Sequence, residues 1–170
     1  VIRMQAISED APVAAHMTEM LGQQMQYALS DAASISLHDE LDLIRNYVSL
    51  LNFRYNDKLQ LDIQEKGFGS CEIPKLSLQP LVENAYKHGL KKRPGLGLIQ
   101  ITAEAAGDDL EITVLDNGIG MSKGVLTELK KQLQGTTKPR PESQTSGIGL
   151  KNVHDRLKSL YGEGYGLSIS

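Results

Sequence analysis

The chain has 170 residues, 40% hydrophobic and 23% charged, enough for an ordinary core and unlike disordered or fibrous compositions. Eighteen Lys and Arg against twenty-one Asp and Glu leave a net charge of -3, which excludes a protein built to coat nucleic acid but not a local basic site. The single Cys71 rules out an internal disulfide and a cysteine-based zinc set.

No apolar run approaches the roughly 20 residues that cross a bilayer, and residues 1–30 lack the layout of a signal peptide. The single cysteine fits a reducing, cytoplasmic setting. In chain order, Pro12 suits the first turn of a helix that carries Met17, Leu21, Met25, Ala28 and Leu29 at helical spacing. A second helix starts at Ser36 as N-cap, with Asp39 three positions on. Its apolar residues Leu37, Leu41, Ile44, Val48 and Leu51 step by 4, 3, 4 and 3. That rhythm predicts supercoiling against another helix, and a hairpin this short calls for a partner surface such as a second copy.

Of sixteen glycines only Gly22 lies in the first 66 residues, so a boundary is expected between Asn56 and Lys66. Beyond it, Lys58–Gln64 alternates as a half-buried strand with Leu59, Leu61 and Ile63 on one face. Leu76–Leu90 reads as a helix whose buried stripe is Leu78, Leu81, Val82 and Ala85. Leu98–Ala106 and Leu110–Asp116 read as strands joined at Gly107-Asp108-Asp109, the second turning Leu110, Ile112, Val114 and Asp116 to one side. Gly118–Ser146, rich in Gly, Ser, Thr and Pro, is too long and polar for an ordinary connection and holds a short helical pattern around Val125–Leu133. A helix Leu150–Tyr161 and a strand Tyr165–Ser170 follow. The order predicts an α+β fold, a two-layer sandwich with helices on one face of a mixed sheet, preceded by a helical hairpin.

Three segments carry chemistry. In Leu81-Val82-Glu83-Asn84-Ala85-Tyr86-Lys87-His88-Gly89, helical spacing puts Asn84, Lys87 and His88 on one face, where an amide oxygen, an ammonium and an imidazole could meet phosphate and magnesium. A solvated polar face is the plainer reading. In Asp116-Asn117-Gly118-Ile119-Gly120-Met121, a carboxylate at a strand end either caps a turn or accepts from a buried donor such as an adenine amino group. Its two glycines allow close backbone approach to a flat ring. In Ser146-Gly147-Ile148-Gly149-Leu150, a glycine pair opens a helix, whose free N–H groups favour a phosphate.

In this order and spacing the three segments resemble the N box and the two glycine boxes of the GHKL superfamily, the ATP-binding fold of gyrase, a chaperone class, histidine kinases and MutL. The stretch Leu78-Gln79-Pro80-Leu81-Val82-Glu83-Asn84-Ala85, with Lys87-His88-Gly89 and the preceding Ile73-Pro74, is similar to the N box of LytS/YesM-type sensor histidine kinases. Residues 41–54, with Tyr47-Val48 and Arg54-Tyr55, resemble the second helix of that group's dimerisation hairpin. The resemblance implies a Bergerat-type ATP-binding catalytic domain over residues 58–170 after a partial dimerisation region over 1–57. ATP and Mg²⁺ would be the cofactors and a protein histidine kinase the enzyme class. Partners would be a second copy, through the N-terminal helices, and a response-regulator Asp.

By position, Asn84 would hold Mg²⁺, while Lys87 would contact phosphate and His88 would be a phosphate or supporting partner. Asp116 would accept from the adenine amino group. Gly118, Ile119, Gly120 and Met121 would shape the adenine side, and Gly147, Ile148, Gly149 and Leu150 the phosphate side. Gly118–Ser146 would be the ATP lid.

Two departures stand out. No Asn-Pro-His-Phe-type phosphoacceptor string is present, and no Gly-Thr turn follows Ser170, so the sequence reads as a piece of a membrane sensor whose other segments lie elsewhere. Among its histidines, His16 lacks the acceptor's context, His38 is expected to be solvated and His154 structural. A hydrolysing clamp of the gyrase kind is the alternative, as is a non-catalytic nucleotide-binding and dimerisation module. The clamp needs a carboxylate one turn before Asn84, where this chain has Pro80, which cannot act as a base.

Overall fold

The computed structural model describes residues 2–8, 11–29, 32–55, 58–67, 69–91, 93–135 and 148–170. Two helices, α1 (Ile2–Ser8) and α2 (Pro12–Leu29), precede a short strand β1 (Ser34–Ser36) and helix α3 (Leu37–Tyr55). Ser36 caps α3 as its sequence predicts: its hydroxyl accepts from the Asp39 amide at 3.1 Å and donates to the Asp39 carboxylate at 2.6 Å. The helix does not present its apolar stripe to another copy. Leu37, Leu41, Ile44 and Val48 are buried in one cluster with Leu59, Val82, Ile99, Ile101 and Ala103. The expected coiled-coil seam is thus the inner face of a core helix. Steps of 4 and 3 mark an apolar face without saying whether a helix or a sheet covers it. This core spans the expected division between residues 57 and 58.

The sheet has the order β2 (Leu59–Lys66), β4 (Gly97–Ala106), β5 (Asp109–Asp116). β2 runs parallel to β4, from Leu59 opposite Gly97 to Lys66 opposite Glu104, and β5 runs antiparallel, from Ala106 opposite Asp109 to Ile99 opposite Asp116. As the middle strand, β4 has Ile99, Ile101 and Ala103 wholly buried on one face. The Gly107-Asp108 turn forms as expected, with Gly107 at φ +68°. Asn117 extends this pairing: its side-chain oxygen accepts from the Leu98 amide at 2.7 Å, and its own amide donates to the Leu98 carbonyl at 3.1 Å.

The parallel crossover from β2 to β4 carries β3 (Glu72–Pro74), which pairs antiparallel with β1, and then the N-box helix. That helix starts later than its stripe suggests. Leu76 sits at φ +60°, outside any right-handed helix, and Pro80 lies in the first turn of α4 (Gln79–Asn84). The chain then continues as a π-helical turn over Ala85–Leu90, closed by the Lys91 amide on the Tyr86 carbonyl at 2.9 Å. Helices α5 (Lys123–Leu133, capped by Ser122) and α6 (Ile148–Tyr161) follow the sheet, as their patterns predict.

Tyr165–Ser170 is not a strand. Gly166 takes φ +135°, the Leu167 amide donates to His154 Nδ1 at 2.9 Å, and the Tyr165 hydroxyl donates to Asp109 Oδ1 at the start of β5 at 2.7 Å, so this segment is tied to α6 and to a side chain of β5 without pairing as a strand. A Cβ at Gly166 would fall 2.7 Å from that same ring nitrogen. His154 is buried and structural, as expected, and His38 is exposed, with Nε2 3.7 Å from Asp42.

Candidate functional site

The site is assembled where the end of the N-box helix meets the turn after β5. Gly89 and Gly118 touch through bare backbone: a Cβ on Gly118 would lie 2.5 Å from the Gly89 Cα, and one on Gly89 would lie 2.6 Å from Asp116 Oδ1. The Ile119 amide donates to the Gly89 carbonyl at 3.2 Å and locks the contact. Two glycines are needed here for approach rather than for turn conformation. The result sets the Asp116 carboxylate against the helix that carries Asn84.

Asp116 is exposed rather than inward-facing, because it is the last residue of an edge strand. Its Oδ1 accepts from the Gly118 amide at 2.8 Å, so the turn-capping role read from the sequence is realised. The capping bond uses one oxygen; a carboxylate has acceptor capacity beyond it. Gly120, at φ +68°, is the glycine of this box that needs its backbone freedom. Around it, Ile119 and Met121 are 59% and 41% exposed. Apolar side chains held open beside a carboxylate suit a flat ring with an amino edge.

The π turn redistributes the polar face. Asn84 is half-buried at the last α-helical position, and among the described residues no group takes its side-chain amide. Lys87 does not lean toward it. The ammonium pairs with Glu83 Oε2 at 2.6 Å, and Gln79 donates to the other oxygen at 3.1 Å. The i→i+5 geometry after Asn84 widens the turn, so the spacing of Asn84, Lys87 and His88 around the axis is no longer that of an α-helix. His88 is exposed on that turn. Arg93, and Lys91 with it, extends the basic edge as the sequence shows.

At the second glycine box, Ile148 is exposed, Leu150 is buried, and Gly149 opens α6 against the N box, its Cβ position 3.4 Å from the Pro80 Cβ. Gly147 lies outside the described residues, as does 136–146 of the expected lid. Among the described residues no group of three or more His, Cys, Asp or Glu side chains could hold a metal by itself. A divalent ion would have to take most of its shell from phosphate oxygens and water, which is how magnesium is commonly bound, and an uncommitted amide oxygen such as that of Asn84 fits it.

The family model described as histidine kinase-, DNA gyrase B-, and HSP90-like ATPase matches residues 74–170, more than half of the chain. The chain belongs to this ATPase family. A second model, histidine kinase, matches residues 1–59, so the C-terminal part is an ATP-binding catalytic domain of the histidine kinase kind rather than of the gyrase kind. The chain is 37% identical over 138 residues to the sensor histidine kinase YpdA of Escherichia coli, covering 80% of this chain and 22% of that protein. It is 34% identical to the sensor protein LytS of Oceanobacillus iheyensis, covering 94% and 27%. The chain thus spans about a quarter of the length of these curated relatives. The histidine kinase domain of a blue-light activated kinase from Erythrobacter litoralis shares the fold at a TM-score of 0.50 and 19% identity, covering 92% of this chain and 74% of that one.

Sequence reasoning missed the residues that hold the N box from behind. Glu40, only 1% exposed, accepts the Leu78 amide on Oε1 at 3.0 Å and the Leu76 amide on Oε2 at 3.1 Å. Tyr27 of α2 donates its hydroxyl to Oε2, and that hydroxyl shares the Leu76 amide at 3.1 Å. Arg156 of α6 closes the group, donating to the Leu76 carbonyl at 3.0 Å and to the Ser77 hydroxyl at 3.4 Å. A signal was present: Leu37, Glu40, Leu41 and Ile44 fall at i, i+3, i+4 and i+7, so an acidic residue lies in the apolar stripe.

Proposed function

We propose that this chain binds ATP with Mg²⁺ between the N-box helix and the stretch 118–147. In the full protein the γ-phosphoryl would pass to a histidine outside these residues and then to an Asp of a response regulator. The observation that supports the reading is the backbone contact of Gly89 with Gly118, which brings the Asp116 carboxylate against the end of the helix that carries Asn84. Asp116 accepts from the adenine amino group, with Gly118, Ile119, Gly120 and Met121 against the ring. Asn84 contributes its amide oxygen to the metal. Lys87 exchanges Glu83 for a phosphate oxygen, and His88 supports the same charge. Gly147, Ile148, Gly149 and Leu150 bring the N-terminus of α6 to the phosphates. When bound, Mg²⁺ supplies charge neutralisation on the triphosphate. The protein's own part is positioning and fixed positive charge, which is the main demand of phosphoryl transfer.

Dimerisation through the N-terminal helices is supported by Ile2, Met4, Leu21 and Met25, which α1 and α2 leave exposed. Among the described residues no helix is long and apolar enough to cross a membrane. We place this part of the protein in the cytoplasm, with any membrane attachment through segments outside it. The clamp reading is disfavoured by Pro80, which occupies the first turn of α4 where a water-activating carboxylate would be needed.

Calorimetry with ATP, with and without Mg²⁺, tests the site. Asp116→Asn is expected to weaken binding about tenfold, as when a hydrogen bond to a charged group is lost. Equal affinity for both proteins removes Asp116 from the adenine site. With labelled ATP, the 170-residue chain is expected to remain free of acid-labile label, and a protein extended to include the acceptor histidine to gain it. Steady phosphate release without phosphoprotein would favour the clamp.

A further inference from the structure

The N box is held by more than its own helix. Leu78, the residue before α4, has no side chain able to cap the helix, and its φ and ψ are already helical. Its amide is taken instead by Glu40, whose carboxylate also lies near the positive end of the α4 dipole. Two residues earlier Leu76 is in the left-handed region, a conformation that is strained for a residue with a side chain and persists only where neighbours impose it. Here they do: its amide is shared by Glu40 and Tyr27, and its carbonyl is taken by Arg156. Ser77, buried between them, donates to the Pro74 carbonyl. The Tyr27 hydroxyl is held well above the usual tyrosine range, by burial first and by its bond to Glu40 second, so it remains a donor across the physiological range. Lys75 Nζ stands 5.5 Å from the centre of the same ring.

Glu40 is therefore a joint. It receives α2 through Tyr27 on one side and sets the N-box entrance on the other, and Asn84 stands six residues beyond Leu78 on the helix so placed. A shift of α2 along or around its axis cannot leave the Tyr27 hydroxyl in place. Losing that hydroxyl would also leave the Leu76 amide with one acceptor fewer in a conformation that needs every restraint.

We propose that Glu40 and Tyr27 are positioning residues that tie the metal-bearing N-box helix to α2, so that the Mg²⁺-dependent part of nucleotide binding follows the placement of α2. The proposal rests on the nucleotide-binding reading above.

The test uses the 170-residue chain and its Tyr27→Phe and Glu40→Gln variants, with ATP affinity measured by calorimetry in Mg²⁺ and in EDTA. Each variant should keep its EDTA affinity within about twofold and lose about tenfold of the gain that Mg²⁺ brings, the scale on which groups supporting a metal ligand act. Tyr27→Phe keeps the ring and its packing, so it guards against a Glu40→Gln chain that folds poorly. Coupling is reciprocal. ATP with Mg²⁺ should therefore increase hydrogen-exchange protection over residues 20–29 in the wild type but not in Tyr27→Phe. An equal loss of affinity in Mg²⁺ and EDTA, tracking the melting temperature, would make the pair a structural clamp and overturn the proposal. So would an unchanged Mg²⁺ gain, or an equal protection change in both proteins. Absence of ATP binding by the wild-type chain would instead overturn the nucleotide reading itself.

Discussion

Where the chain enters the N box, at Leu76–Leu78, side chains from three helices converge on backbone groups: Tyr27 from α2, Glu40 from α3 and Arg156 from α6. Where it leaves, at Gly89, backbone meets backbone at Gly118 with the Asp116 carboxylate beside them, flanked by the exposed Lys87 and His88. The entrance is fixed by buried hydrogen bonds, whose partners are expensive to remove. The exit is fixed by the lack of atoms, which leaves its charged groups able to change partners. One helix is thus anchored at its root and adaptable at its tip, an arrangement that would suit the proposed role of holding a metal ligand steady beside groups that respond to phosphate.

The contrast can be broken most severely at the tip's backbone. Gly118→Ala would push a Cβ to within 2.6 Å of two backbone atoms of Gly89, and neither can yield cheaply. A loss of about 4 kcal/mol is expected, the range of exceptional single substitutions, and urea unfolding measures it. At the root, Glu40→Ala strands the Leu78 amide, leaves the Leu76 amide only the Tyr27 hydroxyl, and should cost about 3 kcal/mol, again by urea unfolding. If this change proves milder than a surface substitution, the root is not an anchor.

The Tyr27 hydroxyl gives a smaller and pH-dependent signature. Its titration lies higher in the folded chain than the 10.0 of the free side chain, so folding favours the protonated form. The stability it contributes is therefore present in full below pH 10 and is lost as pH rises from there toward the folded-state value. Tyr27→Phe should flatten the alkaline limb of a stability–pH curve, and an unaltered limb would refute the assignment. Smallest of all, Lys87→Met removes an exposed pair to Glu83 and should change stability by less than about 0.5 kcal/mol. It should nonetheless lower ATP affinity and weaken its salt dependence. Equal stability and equal ATP binding would show that the tip's ammonium is a surface ornament.

The two ends also differ in how openly the sequence announces them. Asn84, Asp116 and the paired glycines were singled out because phosphate and purine chemistry would call for particular residue types at particular spacings. The strands β2, β4 and β5 and helices α5 and α6 were readable from period and turn residues alone. Glu40 was hidden because its partners are backbone amides 36 and 38 residues away, which no local pattern records. The short strands β1 and β3 offer three residues each, below the length at which alternation can be seen. The π turn that separates Lys87 from Asn84 follows a helix-forming stretch with no mark of its own. Residues 165–170 alternate like a strand, yet Gly166 and the bond to His154 direct them elsewhere.

The parallel pairing of β2 with β4 has a bearing on how the molecule comes to exist. Leu59 cannot find Gly97 until residues 67–96 have been looped out between them, and antiparallel strands joined by a tight turn face no such delay. The β4–β5 hairpin is therefore expected to form early, with β2 docking late and setting the folding rate. Because the looped-out stretch is the one that carries Asn84, the last closure of the sheet is also the moment at which the helix proposed to hold the metal is delivered. A nascent chain would acquire its nucleotide pocket only as its slowest step completes, and ligand present at that moment would select the finished fold.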